Sequence, residues 1–241
     1  IGVFLLSRVP PPDPEDEAER THRQPMDGAE RRRFFLAFAP GIVLVTLIYM
    51  ALNAYRDFRD NFAVELWNAL GYEEAPEIMT VSELPIAIAV LVISAIMFLI
   101  RNNRIGFYIN FGMIGLGGLL VLLTTLLYTS GGLDPTIWMI AVGFGMYLAY
   151  MFFHTMLFER WIALFRYKSN IGYLMYICDA FGYLASVAVM LYKDFFATTL
   201  SWLPFFIRIS LIMGVLTLVL SLLAALYFIW RERNWQRPAT H

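Results

Sequence analysis

The sequence predicts an all-α, polytopic membrane protein with six transmembrane helices. Of its 241 residues, 59% are hydrophobic and only 15% are charged, whereas soluble domains carry about 25% charged residues. The mean hydropathy is +0.62. Six stretches are nearly free of charge, and each is long enough to cross a ~30 Å hydrocarbon core as a helix of roughly 20 residues. None shows the alternation of polar and apolar residues that is typical of a membrane β-barrel.

The predicted spans, numbered one to six, cover residues 36–62, 84–100, 105–128, 136–158, 171–192 and 204–230. We expect span one to begin near Phe34 or Pro40 and its helix to continue to a glycine cap at Gly71. Ser82 is expected to be the N-cap of span two, which places Pro85 in the first turn, where no hydrogen bond is lost. Small residues four positions apart in spans four and five favour close helix packing; they are Ala141, Gly145, Ala149, Cys178, Gly182 and Ser186.

The residues before span one predict that this chain is part of a larger protein. Residues 1–6 have the composition of the end of a preceding transmembrane helix. Residues 7–33 contain four prolines before residue 15 and mixed charges after it, which predicts a flexible cytoplasmic linker. The six-helix transmembrane domain then occupies residues 34–241. A missing N-terminal six-helix half of the same chain is therefore an expected partner.

Lysine and arginine predict the orientation of the spans. The segments before span one, between spans two and three, between spans four and five and after span six together contain 14 of them. The alternate connections contain only Arg56, Arg59 and Lys193. By the positive-inside rule, both ends of this chain are expected to be cytoplasmic, in the plasma (inner) membrane. The net charge of −1 gives no indication of a nucleic-acid partner; the expected environment is the lipid bilayer.

The sequence lacks the motifs of several enzyme classes. Cys178 is the single cysteine, which excludes an intramolecular disulfide and a thiolate metal cluster. No Walker loop, G-x-S-x-G elbow or H-E-x-x-H motif is present. The glycines of span three are interpreted as helix-packing positions rather than a dinucleotide loop; they are Gly112, Gly115, Gly117 and Gly118. We therefore expect no enzymatic activity, no cofactor and no metal.

Four short segments carry a resemblance to a known family. They are NAYRDFRDNF (53–62), TVSELPIAI (80–88), DAFGYLASVAVMLYKDF (179–195) and the basic loop RNNRIG (101–106). Together with the six spans, they resemble the C-terminal six-helix half of a major facilitator superfamily transporter, in an uncharacterised branch of unknown substrate. The loop keeps two arginines of the family pattern and lacks its aspartate. The resemblance implies inverted three-helix repeats and transport, with a binding site near the bilayer midplane.

Ionisable side chains inside the spans are the candidates for function, because each costs about 2.5–3.5 kcal/mol to insert. Asp179 lies eight residues after Ile171, which places it ~12 Å into the membrane at 1.5 Å per residue. A carboxylate at that depth can exchange a proton as access alternates. The alternative is a packing role, with the carboxylate hydrogen-bonded to a neighbouring Tyr or Ser.

Two further groups complete the candidates for binding. The end of span one is a substrate-binding or outer-gate cluster, or else a salt-bridged helix end at the interface; its residues are Asn53, Arg56, Asp57, Arg59 and Asp60. Span four presents Tyr147, Tyr150 and His154 on one face, which in the resembled family borders the central cavity. Packing is the alternative role for His154.

Glu159, Arg160 and Arg166 are candidates for a cytoplasmic gate. The alternative is that the two arginines act only as topology charges beside Glu159.

The expected function is that of a secondary-transporter half that moves a small polar solute by alternating access, with proton coupling through Asp179 as one mechanism. The alternative is a non-transporting scaffold, receptor or assembly partner built on the same helices. A membrane-embedded enzyme ranks third. A cavity-facing cluster containing Asp179 would favour transport, and polar residues satisfied inside packed helix pairs would favour the scaffold.

Overall fold

The computed structural model describes residues 26–73, 77–97, 99–167, 170–196 and 201–235. Residues 1–6 and most of the predicted linker lie outside this set. The helices are α1 (Gly28–Asn61), α2 (Ala63–Ala69), α3 (Glu77–Met97), α4 (Asn103–Thr129), α5 (Pro135–Thr155), α6 (Leu157–Phe165), α7 (Ile171–Leu191) and α8 (Trp202–Arg233). A short π-helix, Tyr192–Phe196, continues α7.

Six of these helices, α1, α3, α4, α5, α7 and α8, are long and apolar enough to cross a membrane. The described residues contain no strand. The predicted all-α fold with six spans is therefore confirmed, and the chain is a multi-pass membrane protein whose helices lie in a lipid bilayer.

The two ends of the bundle differ in their charges. One end, here termed the basic end, is held together by three arginines. Arg104 pairs with Glu232 at 2.8 Å, and Arg231 donates to the carbonyl oxygen of Ala37 at 3.0 Å; the third is Arg160. The other end, termed the opposite end, contains the end of α1, the start of α3 and the α4–α5 connection.

The first helix begins earlier than expected, at Gly28. Its start is a capping box: the Asp27 carboxylate accepts from the Glu30 amide at 2.7 Å, and the Glu30 carboxylate accepts from the Asp27 amide at 3.0 Å. The predicted starts at Phe34 and Pro40 are therefore wrong, and the last residues of the predicted linker are helical. Pro40 instead lies inside α1 and bends it, with non-helical dihedral angles at Phe38 (φ −126°, ψ 17°).

Two further helix boundaries differ from the prediction. The helix of span one does not run continuously to Gly71, because it is interrupted at Phe62, whose ring packs against Trp202 with centroids 4.5 Å apart. Gly71 does have a positive φ of 91° just beyond α2. Ser82 is not an N-cap: α3 begins at Glu77, and the Ser82 hydroxyl donates to a carbonyl oxygen one turn earlier, at 3.0 Å. The helix extends because its first turn packs against the apolar cluster at the opposite end.

The remaining spans agree with the prediction to within a few residues, except that span four is divided. Met156 (φ −146°) separates α5 from α6. The predicted range 136–158 therefore combines the spanning helix with the start of a short helix at the basic end.

The packing of the helices repeats with internal symmetry. The packed pairs are α1 with α7, α5 with α3, α4 with α5, α8 with α1, and α4 with α8. If α1, α3 and α4 are exchanged with α5, α7 and α8 respectively, the same five pairs result. Each half also begins with a long helix that is followed, after one non-helical residue, by a short helix. This is the pattern expected of two inverted three-helix repeats.

Glycines let α4 approach both of its neighbours closely. A Cβ atom on Gly117 would overlap the carbonyl oxygen of Gly145, and one on Gly118 would lie 2.9 Å from the backbone nitrogen of Leu218. The packing interpretation is confirmed at these positions. Gly112 differs, since a Cβ there would meet nothing within 4 Å.

Gly117→Ala is therefore expected to destabilise the bundle by about 1–3 kcal/mol, because the added methyl group overpacks a backbone contact. Gly112→Ala is the matched control in the same helix; alanine favours the helical state by about 1 kcal/mol, so no loss is expected. Melting temperatures in detergent, followed by tryptophan fluorescence, measure the difference. Equal melting temperatures for the two variants would show that the α4–α5 contact tolerates a methyl group.

Candidate functional site

Polar side chains of α1, α3, α5 and α7 lie together on one face of the bundle. Asn53, Arg59 and Ser186 are buried beneath this face, whereas its other members are at least partly exposed. We term it the polar face; it consists of Asn53, Arg56, Asp57, Arg59, Asp60, Glu83, Tyr147, Tyr150, His154, Asp179 and Ser186.

Arg59 is the most deeply buried charge of the polar face, with only 2% of its surface exposed. Its Nη2 atom donates to Glu83 Oε1 at 2.5 Å and to the carbonyl oxygen of Met139 at 3.4 Å. Nη1 lies 3.6 Å from Asp60 Oδ1. The guanidinium fits because residue 143 is glycine, where a Cβ atom would lie 2.6 Å from Nη2. One buried cation thus joins α1, α3 and α5.

Tyr147 and Tyr150 connect α5 to the charged end of α1. The Tyr147 hydroxyl donates to both carboxylate oxygens of Asp60, at 3.0 and 2.8 Å. The Tyr150 ring lies under the Arg56 guanidinium, whose Cζ atom is 4.2 Å from the ring centroid, as in a cation–π contact. The predicted clusters on spans one and four therefore form a single surface.

Asp57 connects α1 to α7. Ser186 Oγ donates to Asp57 Oδ2 at 2.5 Å, and Asn53 Nδ2 lies 3.3 Å from the same oxygen. Arg56 donates to Asp57 Oδ1 from Nε at 2.9 Å and from Nη2 at 2.5 Å. The charge of Arg56 is thus neutralised by the next residue in the chain and not by Asp60, one turn away.

Asp179 lies on α7, half-buried, beside a group of rings. The rings of Tyr49 and His154 have centroids 5.1 Å apart, and those of Tyr150 and His154 are 4.5 Å apart. The Asp179 carboxylate is close enough to Tyr49 for direct interaction, and its charge also acts on His154. Gly182, one turn further along α7, packs directly on the Tyr49 ring.

Asp179 has a phenol for a neighbour but no charged partner among the described residues. His154 Nε2 is buried and has no hydrogen-bond partner among the described residues. The site therefore offers hydrogen-bond acceptors, and no cation of the described chain neutralises its carboxylate.

The three gate candidates at the basic end are not brought together. Arg160 is buried, and its guanidinium donates to the carbonyl oxygens of Ile100 at 2.9 Å and Asn102 at 3.3 Å. Burial lowers the pKa of the Arg160 guanidinium from its ordinary value, and the Glu159 charge opposes this effect; the group stays charged at neutral pH. Glu159 and Arg166 are exposed. Arg160 thus holds the α3–α4 connection in place.

Arg59 and Arg160 occupy equivalent settings at the two ends of the bundle. Each is buried, donates to main-chain carbonyl oxygens of the other three-helix repeat and fits against a glycine there. For Arg160 that glycine is Gly106, where a Cβ atom would overlap the guanidinium. Both arginines therefore hold the two repeats together.

Three residues of the site were not among the candidates predicted from the sequence. Glu83 is a carboxylate at the edge of a predicted span, and Ser186 belongs to the stripe of small residues; both signals were present. Tyr49 lies in an apolar stretch of span one, and only its position four residues before Asn53 could have indicated it. Its role depends on how closely α7 approaches α1.

Among the described residues, no group of three or more His, Cys, Asp or Glu side chains is placed to hold a metal ion. The model of a protein family of unknown function matches residues 1–231, which is nearly the whole chain. No curated protein and no solved structure matches it.

Proposed function

Since the chain belongs to DUF5690, a family of unknown function, we propose its role from the polar face: it is the six-helix half of a secondary transporter that moves a small polar solute by alternating access. The observation that carries the proposal is the setting of Asp179, a half-buried carboxylate inside a spanning helix without an ion-pair partner in the described chain. Such a group is costly in lipid, and it is stable where it faces water, a partner or a ligand.

The packing of the helices supports this proposal. Inverted three-helix repeats are a common architecture of transporters, which bind the solute near the midplane where the repeats meet. The polar face draws on both repeats, since α1 and α3 come from the first and α5 and α7 from the second. In the major facilitator superfamily, which the chain resembles, this face would border a central cavity completed by the N-terminal six-helix half.

We assign the coupling role to Asp179. A carboxylate that alternates between water on one side of the membrane and water on the other can carry a proton with each change of access. The other carboxylates of the polar face are engaged: Asp57 with Arg56, Asp60 with Tyr147 and Glu83 with Arg59.

A non-transporting scaffold remains the second candidate. The observation in its favour is that Arg59 and the Asn53–Asp57–Ser186 network are bonded within the described helices. Such networks would also stabilise a protein that only assembles with partners. The scaffold does not explain why the Asp179 carboxylate, inside a spanning helix, has no cationic partner in the described chain.

Solvent access along α5 tests the proposal without knowledge of the solute. In the complete protein with Cys178→Ala, single cysteines replace Met151, on the side of α5 that carries Tyr147 and His154, or Leu222, which is 55% exposed on α8. A membrane-impermeant thiol reagent is expected to label the Met151→Cys variant much faster, because a transporter cavity is hydrated. Labelling of Met151→Cys as slow as that of Leu222→Cys would show that the polar face is dry and would reject the transporter.

The proposed orientation, with the basic end cytoplasmic, is tested at the two ends of α4. Ser130 and Asn103 are exposed and lie at opposite ends of this helix. An impermeant reagent added to intact cells is expected to label the Ser130→Cys variant and not the Asn103→Cys variant, because arginines and lysines mark the cytoplasmic side. The reverse labelling pattern would invert the topology.

A further inference from the structure

We infer that the solute carries a primary ammonium group, and that Asp179 and the rings around it bind this group. The inference rests on the proposed transport role only where it calls the ligand a transported solute. The ammonium site itself is argued from the polar groups around Asp179 and is tested by binding alone.

The hydrogen-bonding groups of the site match an ammonium ion. A primary ammonium has three N–H donors and no acceptor. The site presents the Asp179 carboxylate, the oxygen of the Tyr49 hydroxyl that interacts with it, and the imidazole of His154, whose Nε2 atom is buried and has no partner among the described residues. In a neutral imidazole one ring nitrogen is an acceptor. The site thus offers acceptors to the three donors, whereas an anionic ligand would meet no free cation of the described chain there.

The aromatic surroundings also favour a cation. Aromatic faces attract cations, and the effect grows when water is excluded. The Tyr150 ring already holds the Arg56 guanidinium at 4.2 Å. Tyr49 and Tyr150 are stacked with centroids 6.2 Å apart, and His154 lies beside both. An ammonium bound to Asp179 would therefore lie next to two phenol rings.

The charge of the polar face points the same way. It carries the two arginines Arg56 and Arg59 and four carboxylates. Both arginines are paired with carboxylates, Arg56 with Asp57 and Arg59 with Glu83. The net charge is negative, and an incoming cation would reduce it. One carboxylate neutralises one positive charge, so Asp179 can bind either the ammonium group or a proton, but not both. A transporter that exchanges the solute for a proton requires this competition.

Four small probes that share a hydroxyethyl group test the inference. They are ethanolamine, choline, ethylene glycol and 3-hydroxypropionate, whose other ends are a primary ammonium, a quaternary ammonium, a hydroxyl and a carboxylate. The measurement is the melting temperature of the complete protein in nanodiscs at constant ionic strength. Ethanolamine is expected to raise it most and choline less, since choline has no N–H donors. Ethylene glycol and 3-hydroxypropionate are expected to have no effect.

Variants locate the binding to Asp179. Asp179→Asn is expected to abolish the ethanolamine effect. Asp134→Asn is the matched control, because Asp134 is an exposed N-cap of α5 and asparagine caps equally well. His154→Phe keeps an aromatic ring and removes a hydrogen-bond acceptor. It is therefore expected to weaken the response to ethanolamine, whereas the response to choline should be unchanged. This variant retains Asp179 and tests the site even if Asp179→Asn fails to fold.

The inference is overturned if 3-hydroxypropionate or ethylene glycol stabilises the protein as much as ethanolamine, or if the Asp179→Asn variant responds like the parent. Failure of the transport role has a different signature. Ethanolamine would then still raise the melting temperature through Asp179, while the Met151→Cys variant would remain unlabelled. The ammonium site would in that case belong to a receptor or scaffold.

Discussion

Replacing Glu83 by glutamine is expected to destabilise the protein by about 3 kcal/mol. The reason is that Arg59 is only 2% exposed, and its buried positive charge is balanced mainly by the Glu83 carboxylate, 2.5 Å from the guanidinium. Unpairing a buried charge costs about 3–5 kcal/mol. The lower figure applies because Glu83 itself is 41% exposed and Asp60 remains 3.6 Å from the guanidinium. The melting temperature in detergent measures the loss.

A second substitution shows whether the buried charge is the cause. Adding Arg59→Met to Glu83→Gln removes the unpaired cation and fills its place with an apolar chain, so part of the lost stability is expected to return. Arg104→Gln is the matched control at the other end, where Arg104 pairs with Glu232 but its side chain is 66% exposed; it should cost less than about 1 kcal/mol. If the double variant is less stable than Glu83→Gln alone, the stabilisation comes from the shape of Arg59 and not from its charge.

The number of spanning helices could be predicted because hydropathy alone decides it. The ends of these helices were predicted less accurately, since local hydrogen bonds and packing against distant residues decide them. The Asp27–Glu30 capping box was visible as a D-x-x-E pattern, yet it lies in a segment whose composition indicates a linker. The interruption occurs at Phe62, whose ring packs against Trp202, 140 residues away in the chain; a contact at that separation leaves no local signal.

The candidate site could be predicted one helix at a time. Costly side chains inside spans identified Asp179 and the charged end of α1, and helical spacing placed Tyr147 and Tyr150 on one side of α5. The partners could not be predicted, because they depend on which helices cross and how closely. Arg59 reaches Glu83 only because Gly143 leaves space for it. For the same reason the three gate candidates, although close in sequence, point to different surroundings.

Substituting asparagine for Asp179 is expected to abolish the effect of pH on access to the polar face. In the parent, protonation removes a charge next to Tyr49 and His154 and so shifts the balance between inward-open and outward-open states. Asparagine is neutral at every pH, like the protonated acid. The measurement is the labelling rate of Met151→Cys from one side of the membrane divided by that from the other. This ratio cancels the pH dependence of thiol reactivity.

We expect the parent ratio to change several-fold between high and low pH, because proton coupling at Asp179 requires the two access states to differ in the protonation of this carboxylate. The Asp179→Asn variant should hold the low-pH value of the parent throughout. His154→Gln is the required control, since an imidazole can also take up a proton and His154 lies beside Asp179, Tyr49, Tyr150 and, further out, Arg56. A pH response that survives Asp179→Asn and disappears with His154→Gln would transfer the coupling role to the histidine. A parent ratio that does not change with pH would reject proton coupling at this site.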